Sequence, residues 1–271
     1  MPYKLHTIGK REELRATFDQ VAQQYDENRP SYPPVVFDDI VLISGVTTES
    51  HLLEIGCGTG HATQVFASRG LHIHALEMGD NMADLARPRL ASFPHVAIEI
   101  ADFDRWTNAT RYHLVYAATS FHWLNPATRE QQIASLLHPR GWFAMWRNRH
   151  IRNGSSDGFL DAAQPIYNSI APELVQHRAT LPGPHDVVEA EREKLRSGLF
   201  EEPVTRVYYW SKGYSAVEYV AMLNTHSDHQ LLPPERRSQL FNQLSELITE
   251  RYGGSVTKDY ATVLQMARLR G

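Results

Sequence analysis

The sequence predicts an α/β protein: a mostly parallel sheet of seven strands with helices on both faces. Three observations carry that expectation. Short apolar β-type runs alternate with helical periodicity between His51 and Arg147, as in parallel strands joined by crossover helices. The first run leads straight into closely spaced glycines, Gly56, Gly58 and Gly60, and then into a helix. Two more β-type runs follow residue 203, which completes the seven.

In order, the strands are expected at His51–Ile55, His72–Glu77, His95–Ala101, His113–Thr119, Gly141–Arg147, Val204–Trp210 and Ser255–Met266. The helices between them fall near His61–Arg69, Asn81–Ala91, Thr128–Leu137, Ser215–Leu223 and Pro234–Tyr252. Asp80 is placed to cap the second of these helices and Pro126 to enter the third. Upstream, Leu14, Phe18, Val21, Ala22 and Tyr25 share helical spacing, and Arg29-Pro30 ends that helix. Pro34 opens another, with Val36, Phe37, Ile40 and Val41 as its apolar face. Beyond Arg147 comes a polar turn, Asn153 to Gly158, followed up to Gly198 by helices broken at Pro165, Pro172, Pro182 and Pro184. The chain therefore divides into an N-terminal helical cap (1–45), a core (46–150), an inserted helical lid after the fifth strand (151–203) and a second part of the core with the last two strands (204–271).

Composition narrows the partners. Hydrophobic residues at 42% suffice for a substantial core. A formal charge of -4, with no Lys/Arg run, disfavours nucleic acid. Cys57 is the one cysteine, so an intramolecular disulfide and a cysteine zinc site are excluded. No apolar run approaches the roughly 18 residues of a bilayer span, and no signal peptide is apparent; a cytoplasmic protein without a membrane partner is expected. Nothing in the sequence sets the oligomeric state.

The strongest chemical signal is Leu52-Leu-Glu54-Ile-Gly56-Cys-Gly58-Thr-Gly60-His-Ala62. Glycines let the backbone turn sharply after a strand and approach a ligand closely. Glu77, 17 positions after Gly60 at the end of the second strand, stands where a carboxylate can grip a ribose hydroxyl pair. The dinucleotide spacing Gly-x-Gly-x-x-Gly/Ala fails, since from Gly56 the sixth position is His61 and from Gly58 it is Thr63; NAD is thus disfavoured. A phosphate loop fails for want of Gly-Lys-Ser/Thr. The extra carboxylate of Glu54 would repel a pyrophosphate and attract an ammonium.

This acidic-x-Gly-x-Gly-x-Gly stretch resembles motif I of the class I S-adenosylmethionine-dependent methyltransferases, whose sheet is Rossmann-like. Ala101-Asp102-Phe103 resembles that family's adenine-binding station, and Leu137-His-Pro139-Arg-Gly141-Trp its Leu-x-Pro-Gly-Gly turn, with Arg140 in place of the first glycine. Tyr25-Asp-Glu-Asn-Arg29-Pro30-Ser-Tyr32-Pro33 and Ala118-Thr-Ser-Phe121-His122-Trp123 are similar to the trans-aconitate methyltransferase-like branch, which acts on small molecules. The resemblance implies S-adenosylmethionine as cofactor, with S-adenosylhomocysteine as product. It further implies a cofactor site made of Tyr25, Arg29, Glu54, Gly56, Gly58, Gly60, Glu77, Met78, Met82, Asp102, Phe103 and Thr119. In that reading Arg29 pairs with the cofactor's carboxylate; otherwise it bonds carbonyls at a helix end.

Methyl transfer asks the protein mainly to align donor and acceptor and to exclude water. A carboxylate acceptor needs no base, whereas a hydroxyl must lose a proton. His122, after the fourth strand, is the candidate base, with packing over the adenosine as the alternative. His122, Trp123, Arg147 and His226 are candidate substrate contacts, with Arg149 and His229 behind them. His72 and His74 share a strand face without a third ligand nearby in sequence, and no metal is expected. The Asp/Asn-Pro-Pro-Tyr/Phe stretch with which amino-methyltransferases of nucleic acids hold a flipped base is absent after the fourth strand. A small molecule methylated on oxygen is the expected substrate; N- or C-methylation, or a non-catalytic protein that senses the cofactor or scaffolds a partner, are the alternatives.

Overall fold

A computed structural model describes residues 22–178, 181–187, 195 and 197–271. Leu14, Phe18 and Val21 of the expected first helix lie outside them. One sheet of seven strands runs in the order β3-β2-β1-β4-β5-β7-β6. Its parallel part comprises β1 (His51–Ile55), β2 (His72–Glu77), β3 (Val96–Ile100), β4 (Tyr112–Ala118) and β5 (Leu137–Ile151). β6 (Val204–Ser215) and β7 (Ser255–Arg268) pair with each other antiparallel, and β7 runs antiparallel to β5. The order reverses between β1 and β4, where chains in open α/β sheets leave a crevice at the carboxyl edge.

Two apolar layers enclose the sheet. On one face α2 (Pro34–Ser44) and α3 (His61–Ala67) bury Val36, Phe37, Ile40 and Phe66 against Leu52, Tyr116, Trp146 and Leu264. Pro34 sits at the first turn of α2, where its missing N–H costs nothing, and Gly45 ends the helix at φ 68° by donating to the Val41 carbonyl. On the other face α5 (Arg129–Leu136) packs Ile133 and Leu136 with Leu53, Val115, Phe143 and Ala267. Each fully buried large side chain contributes about 1.5–3 kcal/mol. Flanking these are α1 (Ala22–Asn28) and α4 (Asp80–Leu90).

β5 is 15 residues long, well beyond the Gly141–Arg147 expected. Its partner explains the difference: β7 bonds it from Trp142↔Arg268 to Ile151↔Asp259, whereas β4 leaves it at Ala118↔Trp146. β5 thus continues past the carboxyl edge, and β6 and β7 stay paired to Ser215↔Ser255. Helices leave from those ends: α6 (Asp157–Ile170) and α7 (Pro172–Arg178) after β5, and α8 (Ala216–Asn224), α9 (Ser227–Gln230) and α10 (Pro234–Arg251) between β6 and β7. α6, α7, α8 and α10 share one apolar cluster containing Phe159, Tyr167, Leu174, Tyr219, Leu223, Leu240, Leu244 and Ile248. The β6–β7 helices, assigned from the sequence to the second part of the core, therefore pack with the helices of the expected lid.

Smaller corrections have local causes. Asp80 is the first residue of α4 and Gly79 its N-cap, so Asp80 acts through its charge at the positive helix end. Thr128 precedes α5 as N-cap, which leaves Pro126 in the turn before it. Pro165 lies inside α6 without ending it, because the burial of Phe159, Ala163, Tyr167 and Ile170 outweighs one lost hydrogen bond. Phe159 and Tyr167, within the expected lid, are core residues of this cluster, a helical cap over the ends of β5, β6 and β7: Phe159 meets Tyr219 edge-on at 5.1 Å and the Tyr167 hydroxyl lies 3.2 Å from His229 Nε2.

Candidate active site

β1 delivers the chain to the switch point, and the loop after it takes φ values of 70°, 56° and 84° at Gly56, Gly58 and Gly60. A Cβ on Gly56 would stand 2.8 Å from Ser120 Cβ, so only glycine lets the end of β4 come this close. A Cβ on Gly58 would project into open space. Glu77, at the end of β2, braces the turn: its carboxylate accepts from the N–H of Gly58 at 2.7 Å and from those of Met78 and Gly79, both at 2.9 Å.

Glu54 lies beneath this loop, fully buried. Its Oε2 accepts from the hydroxyls of Thr63 (2.6 Å) and Tyr116 (2.8 Å), while its buried Oε1 has no hydrogen-bond partner among the described residues. Burial pushes its carboxyl up to about 7; the two hydroxyls draw it down and Glu77 adds to the rise. The same burial, with Glu54 and Glu77 nearby, raises the Cys57 thiol, which is therefore a poor nucleophile.

Across the crevice, Thr119 ends β4 at φ 58°, a conformation rare for a β-branched residue. Its N–H donates to the Trp146 carbonyl at 2.8 Å and its hydroxyl pairs with that of Tyr32 at 2.6 Å. Asn148 on β5 donates to the carbonyls of Pro30 and Ser31 and accepts from Thr262. The segment between α1 and α2 is thereby fastened to the strand ends.

α1 is held as well. Asp26 takes a bidentate pair from Arg89 of α4 (2.7 and 2.9 Å) and an ion pair with His61 at 2.9 Å, and Arg89 also bonds the Thr59 carbonyl within the glycine loop. Burial raises the Asp26 carboxyl, but Arg89, Thr59 and His61 together bring it below its ordinary range. Arg29 packs over the Tyr25 ring, 5.1 Å from its centroid, and donates to the Thr225 carbonyl at 2.9 Å, which bridges α1 to the cap. Its buried Nε has no hydrogen-bond partner among the described residues.

The remaining sequence-derived residues are distributed as follows. Met78 is an exposed apolar side chain beside the loop and Met82 is buried. Asp102 caps a short 3-10 turn by accepting from the Asp104 N–H, and Phe103 is buried in the apolar layer under α5. His122 is exposed on another 3-10 turn (Phe121–Trp123), its ring 4.8 Å from that of Trp123. His226 is half-buried in the cap, where loss of solvation first, then Arg29, pushes its imidazole well below the ordinary range. Strand alternation puts Arg147 and Arg149, opposite Val263 and Ala261, on one face and Asn148 and His150, opposite Thr262 and Tyr260, on the other. The structure does not gather Arg147 with the Asn148 face.

Both ring nitrogens of His74 are engaged, by Tyr112 and Glu99, each at 2.8 Å. Among the described residues His226, Asp228 and His229 bring three potential metal-ligand atoms within 4.8 Å of one another. The His229 nitrogens already face Asp228 and Tyr167. Sequence reasoning missed Asp26, Arg89, Thr63, Tyr116 and Asn148. Asp26 stood inside the quoted Tyr25–Pro33 stretch, but its partner lies 63 residues away.

Residues 52–141 match the family model of a methyltransferase domain. An uncharacterized methyltransferase of Mycobacterium bovis is 28% identical over 183 residues, 66% of this chain and 70% of that one. Another, of Schizosaccharomyces pombe, is 25% identical over 242 residues, 86% of this chain and 87% of its own length. The solved phosphoethanolamine N-methyltransferase 2 of Haemonchus contortus, in complex with phosphomonomethylethanolamine and S-adenosylhomocysteine, shares the fold. Its TM-score is 0.53 at 14% identity, over 99% of this chain and 61% of that one. The sheet, the loop at its switch point and the matched domain define an enzyme of one class. The chain carries a methyltransferase domain over residues 52–141, with S-adenosylmethionine as its cofactor, on a Rossmann-like methyltransferase fold.

Proposed function

We propose that this enzyme methylates a small molecule on oxygen, a carboxylate or a hydroxyl, in the crevice between the glycine loop and the helical cap, and that it does so in the cytoplasm. One observation carries the placement: Arg29 Nε is a buried donor without an acceptor among the described residues, on a segment pinned to the glycine loop through Asp26 and Arg89. A guanidinium suits a carboxylate better than any other side chain does, and the cofactor's amino-acid end carries one. The open space beside Gly58 and the acceptor oxygen of Glu54 fit the same end, with its ammonium. Glu77, Met78, Met82, Asp102 and Phe103 would border the ribose and adenine, and Tyr25 and Thr119 the methionine part.

Bound there, S-adenosylmethionine supplies a methyl group already activated by its sulfonium charge. The chain's own work is to orient and to exclude water. Tyr25, Arg29 and Tyr32 cover the crevice from α1 and the segment after it, while the cap covers it from β5, β6 and β7. Trp123 and His226 are assigned to the acceptor; Arg147, which the sequence also offered, lies on the face of β5 opposite Asn148 and is left out. For a hydroxyl acceptor His122 takes the proton; a carboxylate acceptor needs none taken. N- and C-methylation are the reactions that the acceptor screen below separates from this one. The match to the trans-aconitate methyltransferase-like branch rests on Tyr25–Pro33 and Ala118–Trp123.

The test is a screen with methyl-labelled cofactor against small carboxylates, phenols, alcohols and amines. Labelled esters or ethers are expected. Labelled amines alone would contradict O-methylation. With a hydroxyl acceptor His122→Ala lowers kcat about 10²-fold or more and leaves cofactor affinity intact; unchanged kcat would remove His122 from the role of base.

A further inference from the structure

Building on the proposed cofactor site, we propose that Glu54 is a carboxylic acid in the free enzyme and a carboxylate in the loaded one, so that cofactor binding expels a proton from beneath the glycine loop. The geometry around Glu54 sets this up. It is fully buried, one residue before the end of β1. Two hydroxyls donate to Oε2, from Thr63 of α3 and Tyr116 of β4, and Oε1 faces no hydrogen-bond partner among the described residues. Of the titratable groups that couple to it, Glu77 from β2 opposes its ionisation, while the Cys57 thiol and the Tyr116 and Tyr32 hydroxyls, all raised by burial, are uncharged and supply no cation. A buried carboxylate beside a second carboxylate, with one oxygen unsatisfied among the described residues and no cation among these groups, is held as its neutral form. The carboxyl's rise to about 7 agrees with that environment.

A bound cofactor changes the balance by bringing a positive charge to the loop directly above. In surroundings of low dielectric an ammonium or sulfonium favours the ionised carboxylate, and the proton of Glu54 passes to solvent. Oε1 then has a cation to answer. By linkage, the affinity for the cofactor rises with pH, about tenfold per unit at most below the carboxyl's pKa, and levels off above it.

Calorimetry with S-adenosylhomocysteine, whose ammonium is the relevant charge and which cannot transfer a methyl group, tests this. Titrations at pH 6 in buffers of different ionisation enthalpy count the protons exchanged by wild type and Glu54→Gln. Wild type is expected to release close to one more proton than Glu54→Gln at pH 6, and the difference to vanish by about pH 8.5. Whatever proton the ligand itself exchanges is common to both. Equal release by the two would overturn the proposal while leaving the cofactor site standing; absence of binding by wild type would instead overturn the site. Difference infrared spectroscopy on wild type needs no variant. The carbonyl stretch of a protonated carboxyl is expected at pH 6 and is lost on adding S-adenosylhomocysteine, and its persistence would overturn the proposal.

Discussion

Thr119 concentrates the backbone cost of the site. A β-branched residue at φ 58° gives up about 1–3 kcal/mol, and it is kept there by the Trp146 carbonyl and the Tyr32 hydroxyl. Thr119→Val keeps the strain and leaves the half-buried Tyr32 hydroxyl without this partner, so it should destabilise the protein by about 1 kcal/mol in urea. Adding Tyr32→Phe removes the orphan and should recover much of that loss; no recovery would mean that the pair contributes nothing. Glu54 supplies a second residue-scale prediction. Its carboxyl is raised above its unfolded value of 4.5 to about 7, so the native state holds the extra proton. Its contribution to stability is complete below pH 4.5 and is lost as pH rises through 7, by an amount on the order of 3 kcal/mol. Wild type minus Glu54→Gln, followed by denaturant midpoint against pH without cofactor, should trace that decline; a flat difference would place the titration elsewhere. Glu54 was read from the sequence as an acid facing a cation. Its burial was not legible, because Thr63 and Tyr116 reach it from separate elements.

At the scale of elements, α1 is tied to its neighbours by charge. The Asp26–Arg89 pair, with each side chain about four-fifths buried, fastens it to α4 and the glycine loop. Asp26→Asn should cost about 1 kcal/mol of stability and weaken S-adenosylhomocysteine binding several-fold, because Arg29 and Tyr25 ride on the same helix. Unchanged affinity would detach α1 from the cofactor site. The strands show what local sequence conveys. Alternation and apolar runs located all seven: the inner strands bury their own side chains, and the edge strands β3 and β6 keep β-type residues although little of either is buried. The length of β5 was not visible, because its last residues are paired by β7 and its own sequence there, Arg147-Asn-Arg149-His150, is polar. Pro165 misled for a related reason: a helix whose apolar face is buried tolerates a proline that an exposed one would not.

Across the whole molecule, the sheet order brings glycine loop, Glu77 and Thr119 to one switch point, and the fold class was legible because crossover patterning repeats along the chain. The cap was not legible as a unit. Its helices come from both sides of β6, and only the long β6–β7 ladder brings them together. That arrangement lets Arg29 bond the Thr225 carbonyl, so the cap and α1 meet over the carboxyl edge. The claim that these parts form one cofactor site is tested most directly by calorimetry with S-adenosylhomocysteine at pH 8 on wild type, Glu77→Ala and Arg29→Ala. Saturable binding by wild type, weakened at least tenfold in each variant while both remain folded by circular dichroism, is the expected result. Equal affinity in all three, or no binding by wild type at millimolar ligand, would contradict it.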